Sequence, residues 1–462
     1  MKKYIILASV LVANSLCSFA QNINSAYFLD GFLYRHELNP AMDNDSTTYI
    51  AVPAVGNISV NMRGNFGYEN ILHRNPRGGK SLTTFMSPYL STEEVMKGFN
   101  KNGNRIITEM RATLVSAGFK KWNGYNTIEV NARGQVGISA PYELFEFARK
   151  IGNEKYDIGD VYANVQSFVE VAAGHSRQIN EKLRVGAKAK LLFGLEDVDL
   201  SMKDMKADLS APNKWTVSGD VKLDASMKQL TYESEAKKYH NLPGTYDRIN
   251  KINVDGLGIN GFGLSVDAGA EWKPNESWEL SAALLDLGFI SWGNNHQAIN
   301  KDKQFEFNGF HDIAIRDDLP NSMRDQRDNY GDQIAEFINL SDNGDQGSRF
   351  TGIGTTINVG AKYTNPTNEY FDFGVLSSTR LRGEYSWTEV RGFMNWRSSS
   401  FFSASMNLSY GTFGGGFGWM MNFHPKFINL FLGMDYVVGK MSKEFIPLNS
   451  KGSLNAGFNI HF

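Results

Sequence analysis

The chain has 462 residues, and its 47 Lys plus Arg against 49 Asp plus Glu leave a formal net charge of -2. That balance, with no long basic run, gives no footing for nucleic-acid binding. Beyond the first residues there is no stretch of about 18 apolar residues, which excludes a helical membrane protein, whereas 45 Gly, 31 Phe, 19 Tyr and 8 Trp beside 12 Pro fit many aromatic-rich strands.

Lys2 and Lys3, the apolar run from Ile5 to Ala13, and the small residues Ser18 and Ala20 predict a secretory signal over residues 1–20, cleaved before Gln21. Leu16 is too large for the position before a lipidated cysteine, so Cys17, the only cysteine, is read as part of the removed signal. An exported chain with no disulfide depends on backbone pairing and packing. A closed barrel supplies both, because closure leaves no sheet edge.

Residues 21–46 read as irregular or partly helical, with a boundary at Asn39-Pro40, since the residue before proline is pushed out of the helical region. This aromatic stretch precedes the first strand and suits water poorly, so it is expected as a plug or hatch inside a barrel spanning residues 47–462. Arg35, His36, Asn39 and Pro40 are its candidate gate residues.

Alternating runs begin near Thr47 to Met62. A polar loop, 64–104, follows with a short helix expected at Thr92 to Phe99. In the run from Asn126 to Ser139, Ile128, Val130, Ala132, Val136 and Ile138 share one face, while Glu129, Asn131, Arg133 and Gln135 share the other. Charges confined to one side fit lipid outside and water inside. Pro141 to Lys150 has helical spacing and is expected to cap the barrel. Runs at 161–177 and 183–200 follow, the second placing Arg184, Lys188 and Lys190 inward. Residues 201–257 are read as an elaborated loop containing a hairpin near Trp215 to Leu223.

Two strands at 259–272 and 278–292 are joined by a five-residue turn with Trp272 and Trp278 at its mouth, an interface position for aromatics. A long loop, 293–350, carries an expected helix near Gln333 to Asn339. Runs near 353–364, 370–382, 385–397, 400–411, 414–423, 427–438 and 452–462 then bring the total to about fourteen. The even number suits a bacterial barrel, and the long segments then all fall on one side and the short turns on the other.

The last run ends the argument for fold class. Leu454, Ala456, Phe458, Ile460 and Phe462 alternate with Ser453, Asn455, Gly457, Asn459 and His461. This resembles the terminal strand of bacterial outer-membrane barrels, which the barrel-assembly machinery reads as an insertion signal. The expectation is an all-β protein: a transmembrane antiparallel β-barrel of about 14 strands with an N-terminal plug-like segment and long extracellular loops, in the outer membrane of a Gram-negative bacterium and in contact with its lipids.

The N-terminal Asn39-Pro40-Ala41 and the stretch Leu284-Leu285-Asp286-Leu287-Gly288-Phe289-Ile290-Ser291-Trp292 together resemble an uncharacterised outer-membrane family related to FadL-type hydrophobic-compound transporters and to PorV, the barrel of type IX secretion. The resemblance implies a fold and a location more than an activity.

Catalytic and metal signatures are weak. Gly256 to Gly261 fits G-x-G-x-x-G but opens a strand, without the strand before it and helix after it that a dinucleotide needs. The eight histidines are scattered with no H-E-x-x-H, and Asp342-Asn343-Gly344-Asp345 lacks the downstream Glu of a calcium loop. No Ser and His stand at a spacing that marks an esterase, so neither enzyme activity, cofactor nor metal is expected. The lumen-facing candidates are Glu129, Arg133, Lys188, Lys190, Asp267, Glu271, Arg380 and Arg391, whose opposite signs also suit simple pairing across strands. Two functions fit: passive uptake of a hydrophobic small molecule, or a non-transporting scaffold or shuttle that binds other envelope proteins.

Overall fold

The computed structural model describes residues 24–42, 47–77, 82–150, 152, 154–211, 214–238, 244–254, 256, 258–301, 303–307, 340–368, 370–399, 401–438 and 450–462. The predicted signal, 1–20, and the helix expected at 333–339 lie outside them.

Fourteen staves form the barrel: β1 (Tyr49–Ala51 and Ile58–Gly64), β2 (Asn104–Lys121), β3 (Gly124–Ala140), β4 (Lys155–Asn180), β5 (Leu183–Ala211), β6 (Gly261–Trp272) and β7 (Trp278–Trp292), then β8 (Thr355–Thr364, prolonged by Arg349–Gly352), β9 (Phe371–Leu381), β10 (Trp387–Ser399), β11 (Phe402–Gly411), β12 (Gly416–Phe423), β13 (Ile428–Met434) and β14 (Gly452–His461). Each pairs antiparallel with the next, for instance Arg133 opposite Phe168 between β3 and β4. The ring closes where β14 meets β1, with Tyr49 opposite His461 and Ile58 opposite Ala456. Every stave is therefore paired on both sides, the condition a sheet must meet to sit in lipid.

Dyad alternation decides which way each side chain points. Ile128, Leu191, Leu264, Val359, Val375, Leu408, Leu430 and Leu454 stand exposed on the outside. The inside inverts the usual core: Arg380 and Arg391 are among the largest fully buried side chains of the molecule. Trp122, Trp272, Trp278, Tyr370, Phe401, Phe427 and Phe462 are exposed near the short-turn end, as an aromatic belt at one membrane interface. The molecule is a transmembrane β-barrel with short turns at one end and long excursions at the other.

Those excursions are folded. Helices α1 (Tyr68–Ile71), α2 (Thr92–Met96) and α3 (Tyr142–Arg149) bring Phe66, Phe85, Val95, Phe99 and Phe145 into one apolar cluster over the long-loop end. Phe99 stacks on Phe145 at 4.1 Å between centroids. The region 201–257 builds sheet beyond the barrel. Leu183 to Gly194 of β5 pair with β6, while its continuation from Glu196 pairs with the strand Lys214–Met227. One long stave thus serves the barrel wall below and a second sheet above, whose core includes Val198, Leu223, Met227, Leu230 and Ile249.

Candidate functional site

The lumen is the candidate site, and residues 24–42 lie within it. Two short 3-10 turns, Asn24–Ala26 and Arg35–Glu37, give this segment its shape. Its aromatic side chains pack on inward residues of the wall: Phe28 meets Phe393 edge-on at 5.3 Å, and Phe32 meets Phe431 at 4.9 Å. Ala26, Leu29, Leu33 and Tyr34 join Tyr49, Tyr125 and Met420 in the same cluster. A segment too apolar for water thus finds its solvent inside the barrel.

Glycines of the wall make room for it. A Cβ on inward-facing Gly374 would stand 2.5 Å from the Phe28 ring, and one on Gly360 would stand 2.8 Å from it. The same test puts Gly186 against the Pro40 backbone, Gly269 against Asn39, and Gly418 2.6 Å from the Ser25 hydroxyl. These five glycines belong to five different staves and trace the path of one segment. Close approach of another chain is what a strand glycine permits.

Polar contacts fix the segment along its length. The Asp435 carboxylate accepts the N–H groups of Asn24 (3.0 Å) and Ser25 (2.7 Å) and the Ser25 hydroxyl (2.7 Å). The Asn39 amide donates to the carbonyls of Ala270 in β6 (3.2 Å) and Ala282 in β7 (3.3 Å), while its oxygen accepts the Ala41 N–H at 2.9 Å. Asn39-Pro40 is therefore an Asx turn docked on the wall. His36 lies between Tyr49, whose hydroxyl is 2.9 Å from Nε2, and Lys188, whose ammonium is 3.3 Å from Nδ1. The Glu129 carboxylate also faces Nδ1, at 3.5 Å.

At the short-turn end Arg35 pairs with Asp30 (3.0 Å) and Glu279 (3.6 Å), and Asp30 also reaches Arg397 (3.2 Å) and Lys362 (3.4 Å). Burial would raise the Asp30 carboxyl, but Lys362, Arg35 and Arg397 hold it below the usual carboxylate range. These residues floor a vestibule of about 940 Å³ that opens at that end.

The eight predicted lumen residues all project inward and are buried. Glu129 pairs with Lys188 at 2.7 Å and Lys190 with Asp267 at 2.7 Å, while Arg380 pairs with Glu109 (2.7 Å) and Arg391 with Glu389 (2.7 Å). Arg133 grips Asp286 through both terminal nitrogens, each at 2.8 Å. Glu271 stands apart, at the vestibule beside Lys273 (2.9 Å).

Sequence reasoning missed Glu170, which joins Arg111 (2.8 Å) and Arg133 (2.9 Å), although both Glu170 and Arg111 lie in phase with their strands. Asp286 and Asp435 carried no such signal. Asp286 sits at φ +59 where the ladder between β6 and β7 shifts register, so it and Leu285 both point inward. Asp435 lies one residue beyond the last ladder position of β13.

With segment and ion pairs in place the centre of the lumen is nearly full. The cavity left among Glu37, Arg63, Arg111, Arg133, Lys190 and Asp286 is about 30 Å³, the room of a single water. One place in the wall is weaker. The β7–β8 ladder runs to Leu285 opposite Thr356 and resumes at Phe289 opposite Gly352. Across the gap the Ile353 N–H reaches the Gly288 carbonyl at only 3.5 Å, and Gly354 has φ +85. Arg380 donates to the free Ile353 carbonyl at 3.0 Å. Behind the gap Phe168, Leu192, Ile290, Trp292 and Ile353 form an apolar island on the inner wall.

Fold and lumen together define a transmembrane β-barrel occupied by its own N-terminal segment. The sequence model of the family of unknown function DUF5723 matches residues 40–435, and the chain belongs to that family. No curated protein matches it in sequence. Among solved structures it is similar to the Pseudomonas putida toluene transporter TodX, at 8% identity and TM-score 0.37 over 96% of this chain and 94% of that one. It is also similar to a Pseudomonas aeruginosa FadL homologue, at 10% identity and TM-score 0.39 over 96% and 99%, and to the translocator domain of the autotransporter NalP from Neisseria meningitidis, at 6% and 0.31 over 93% and 92%.

Proposed function

We propose that the protein is a passive passage of the Gram-negative outer membrane for a small, largely apolar molecule, with residues 24–42 as the plug and the β7–β8 gap as the exit. On this reading the signal is removed near Ala20, and the assembly machinery inserts the barrel through the strand ending at Phe462. The long-loop end faces outward and the vestibule faces the periplasm.

The observation that carries the proposal is the gap in the wall with an apolar island behind it. Axial movement through the centre would break buried ion pairs, at about 3–5 kcal/mol for each pair left with one partner. Leaving sideways between Leu287 and Ile353 crosses a stretch that already lacks most of its ladder, where Trp292, Ile290 and Phe168 offer an apolar surface throughout. The test is uptake of a labelled monoaromatic hydrocarbon by cells producing the protein, beside cells producing Ile353→Arg, which sets a charge on that route. Uptake that falls to the empty-vector level in the variant, with the folded barrel retained on gels, is expected. Equal uptake by wild type and variant would sink the exit, and wild-type uptake at background would sink transport altogether.

One observation favours the scaffold reading instead: the full lumen stands beside a large second sheet beyond the barrel. Native mass spectrometry of gently extracted protein separates the two. Envelope proteins at fixed stoichiometry on an empty barrel would replace the passage with a scaffold.

A further inference from the structure

At the long-loop end, residues 382–386 join β9, which ends at Leu381, to β10, which begins at Trp387. This turn is held in one shape by its own bonds. The Arg382 N–H donates to the Ser386 hydroxyl (2.8 Å), which donates in turn to the Gly383 carbonyl (2.7 Å), and the Tyr385 N–H closes back on the Arg382 carbonyl (3.0 Å). Gly383, at φ +53, supplies the left-handed step of so tight a turn.

A turn of this length has no need to leave the line of its two staves, yet this one leans inward and reaches the opposite wall. The Tyr385 ring lies against Gly137 on the inner face of β3, where a Cβ would stand 2.6 Å from two ring carbons. Arg382 Nη2 donates to the Asn164 side-chain oxygen of β4, and Arg105 Nη1, near the start of β2, donates to the carbonyls of Glu384 (3.2 Å) and Ser386 (3.1 Å). Around the ring, β11 to β14 and β1 separate β10 from β2, and β5 to β8 separate β9 from β4. Residues 382–386 therefore span the mouth from one side to the other.

The far end of this span is held lightly. Uncharged acceptors and one ring contact fasten it to β2, β3 and β4, with Glu109 and Asp197 adding attraction for Arg382, whereas direct pairs such as Arg133 on Asp286 fasten the centre below. The near end touches the weak place in the wall: a Cβ on Gly354, inside the β7–β8 gap, would stand 3.1 Å from Arg382 Cδ. Beside the span, a cavity of about 210 Å³ runs from Tyr385 to Thr351 and Gly352 at the edge of that gap.

We propose that residues 382–386 are an outer gate, a strap that shuts the long-loop mouth while Tyr385 sits on Gly137 and opens it when that contact and the Arg382–Asn164 bond are released. The turn moves as a unit, because its internal hydrogen bonds do not depend on the far wall. The inference extends the proposed passage to its entrance: the effect on uptake rests on that reading, whereas access to the lumen from outside does not.

Cys17, within the predicted signal, is the only cysteine, so an introduced thiol is labelled without background from the barrel. Gln135→Cys places one on the inner face of β3, two residues below Gly137. A membrane-impermeant maleimide added to whole cells should label it slowly. Adding Tyr385→Ala should raise that rate about tenfold, the shift in a closed–open equilibrium that loss of one such ring contact gives. Arg382→Gln, which keeps the ring on Gly137, should raise it less, and heat-modifiable gel mobility confirms that each variant barrel is folded. Conversely, Gly137→Cys with Tyr385→Cys, bridged by a short reversible bis-methanethiosulfonate, should take up a labelled monoaromatic hydrocarbon only after reduction. Equal labelling with and without Tyr385→Ala, or the same uptake before and after reduction of the bridge, would overturn the gate. Wild-type uptake at background, with the labelling difference intact, would overturn only the passage.

Discussion

The lower and upper halves of the lumen are made by the same staves, yet they are closed in different ways. Below, residues 24–42 lie against glycines of five staves, and guanidinium and carboxylate groups meet in pairs, leaving about 30 Å³ at the centre and a vestibule of about 940 Å³ beneath the segment. Above, the ladder between β7 and β8 lapses, and a cavity of about 210 Å³ lined by Asp197, Asp199, Glu384 and Arg382 stays open. Inside this barrel, closure is a matter of charge matching, of space for one segment and of the apolar contacts that segment makes with the wall. Where any of these is missing, the structure leaves room for something else.

The contrast can be broken most forcefully in the lower half. Glu170→Gln removes the carboxylate shared by Arg111 and Arg133, and urea unfolding of the reconstituted barrel should show a loss of about 3 kcal/mol, two charge-assisted hydrogen bonds at about 1.5 kcal/mol each, since Arg111 keeps Glu37 (3.2 Å) and Arg133 keeps Asp286 (2.8 Å). Gly374→Leu should cost less, about 1–3 kcal/mol from overpacking, because it drives a side chain into the space of Phe28. That variant should also raise small-solute flux, since the segment has to yield before the wall does.

The Asp30 latch sharpens the same comparison through pH. Its carboxyl is held below the usual range by Lys362, Arg35 and Arg397, so the stabilisation is present above the unfolded value of about 3.9 and is lost as pH falls through the lower folded value. Flux through the wild-type barrel should therefore be the same at pH 7 and pH 5. The smallest effect belongs outside the lumen altogether: Glu93→Ala breaks an exposed helical pair with Lys97, and unfolding should shift by no more than about 0.5 kcal/mol.

Much of this was legible in the sequence because a barrel writes its two solvents into alternate residues. The staves and the inward charges from Glu129 to Arg391 follow from that period alone. What escaped it broke the period. Asp286 turns inward only because a bulge puts it at positive φ, and Asp435 acts from just beyond its strand. The glycines under the N-terminal segment could be read as curvature or as close approach, and only the position of Phe28, Asn39 and Pro40 decides between them.

The claim that residues 24–42 close the lumen is tested most directly by small-solute flux into proteoliposomes, comparing the wild-type barrel with one lacking those residues. Both should show the same heat-modifiable mobility, so that only folded barrels are compared. The account predicts negligible flux for the wild type and a large increase for the deletion. Equal flux from two intact barrels would contradict it, and would leave the segment as filling rather than a plug.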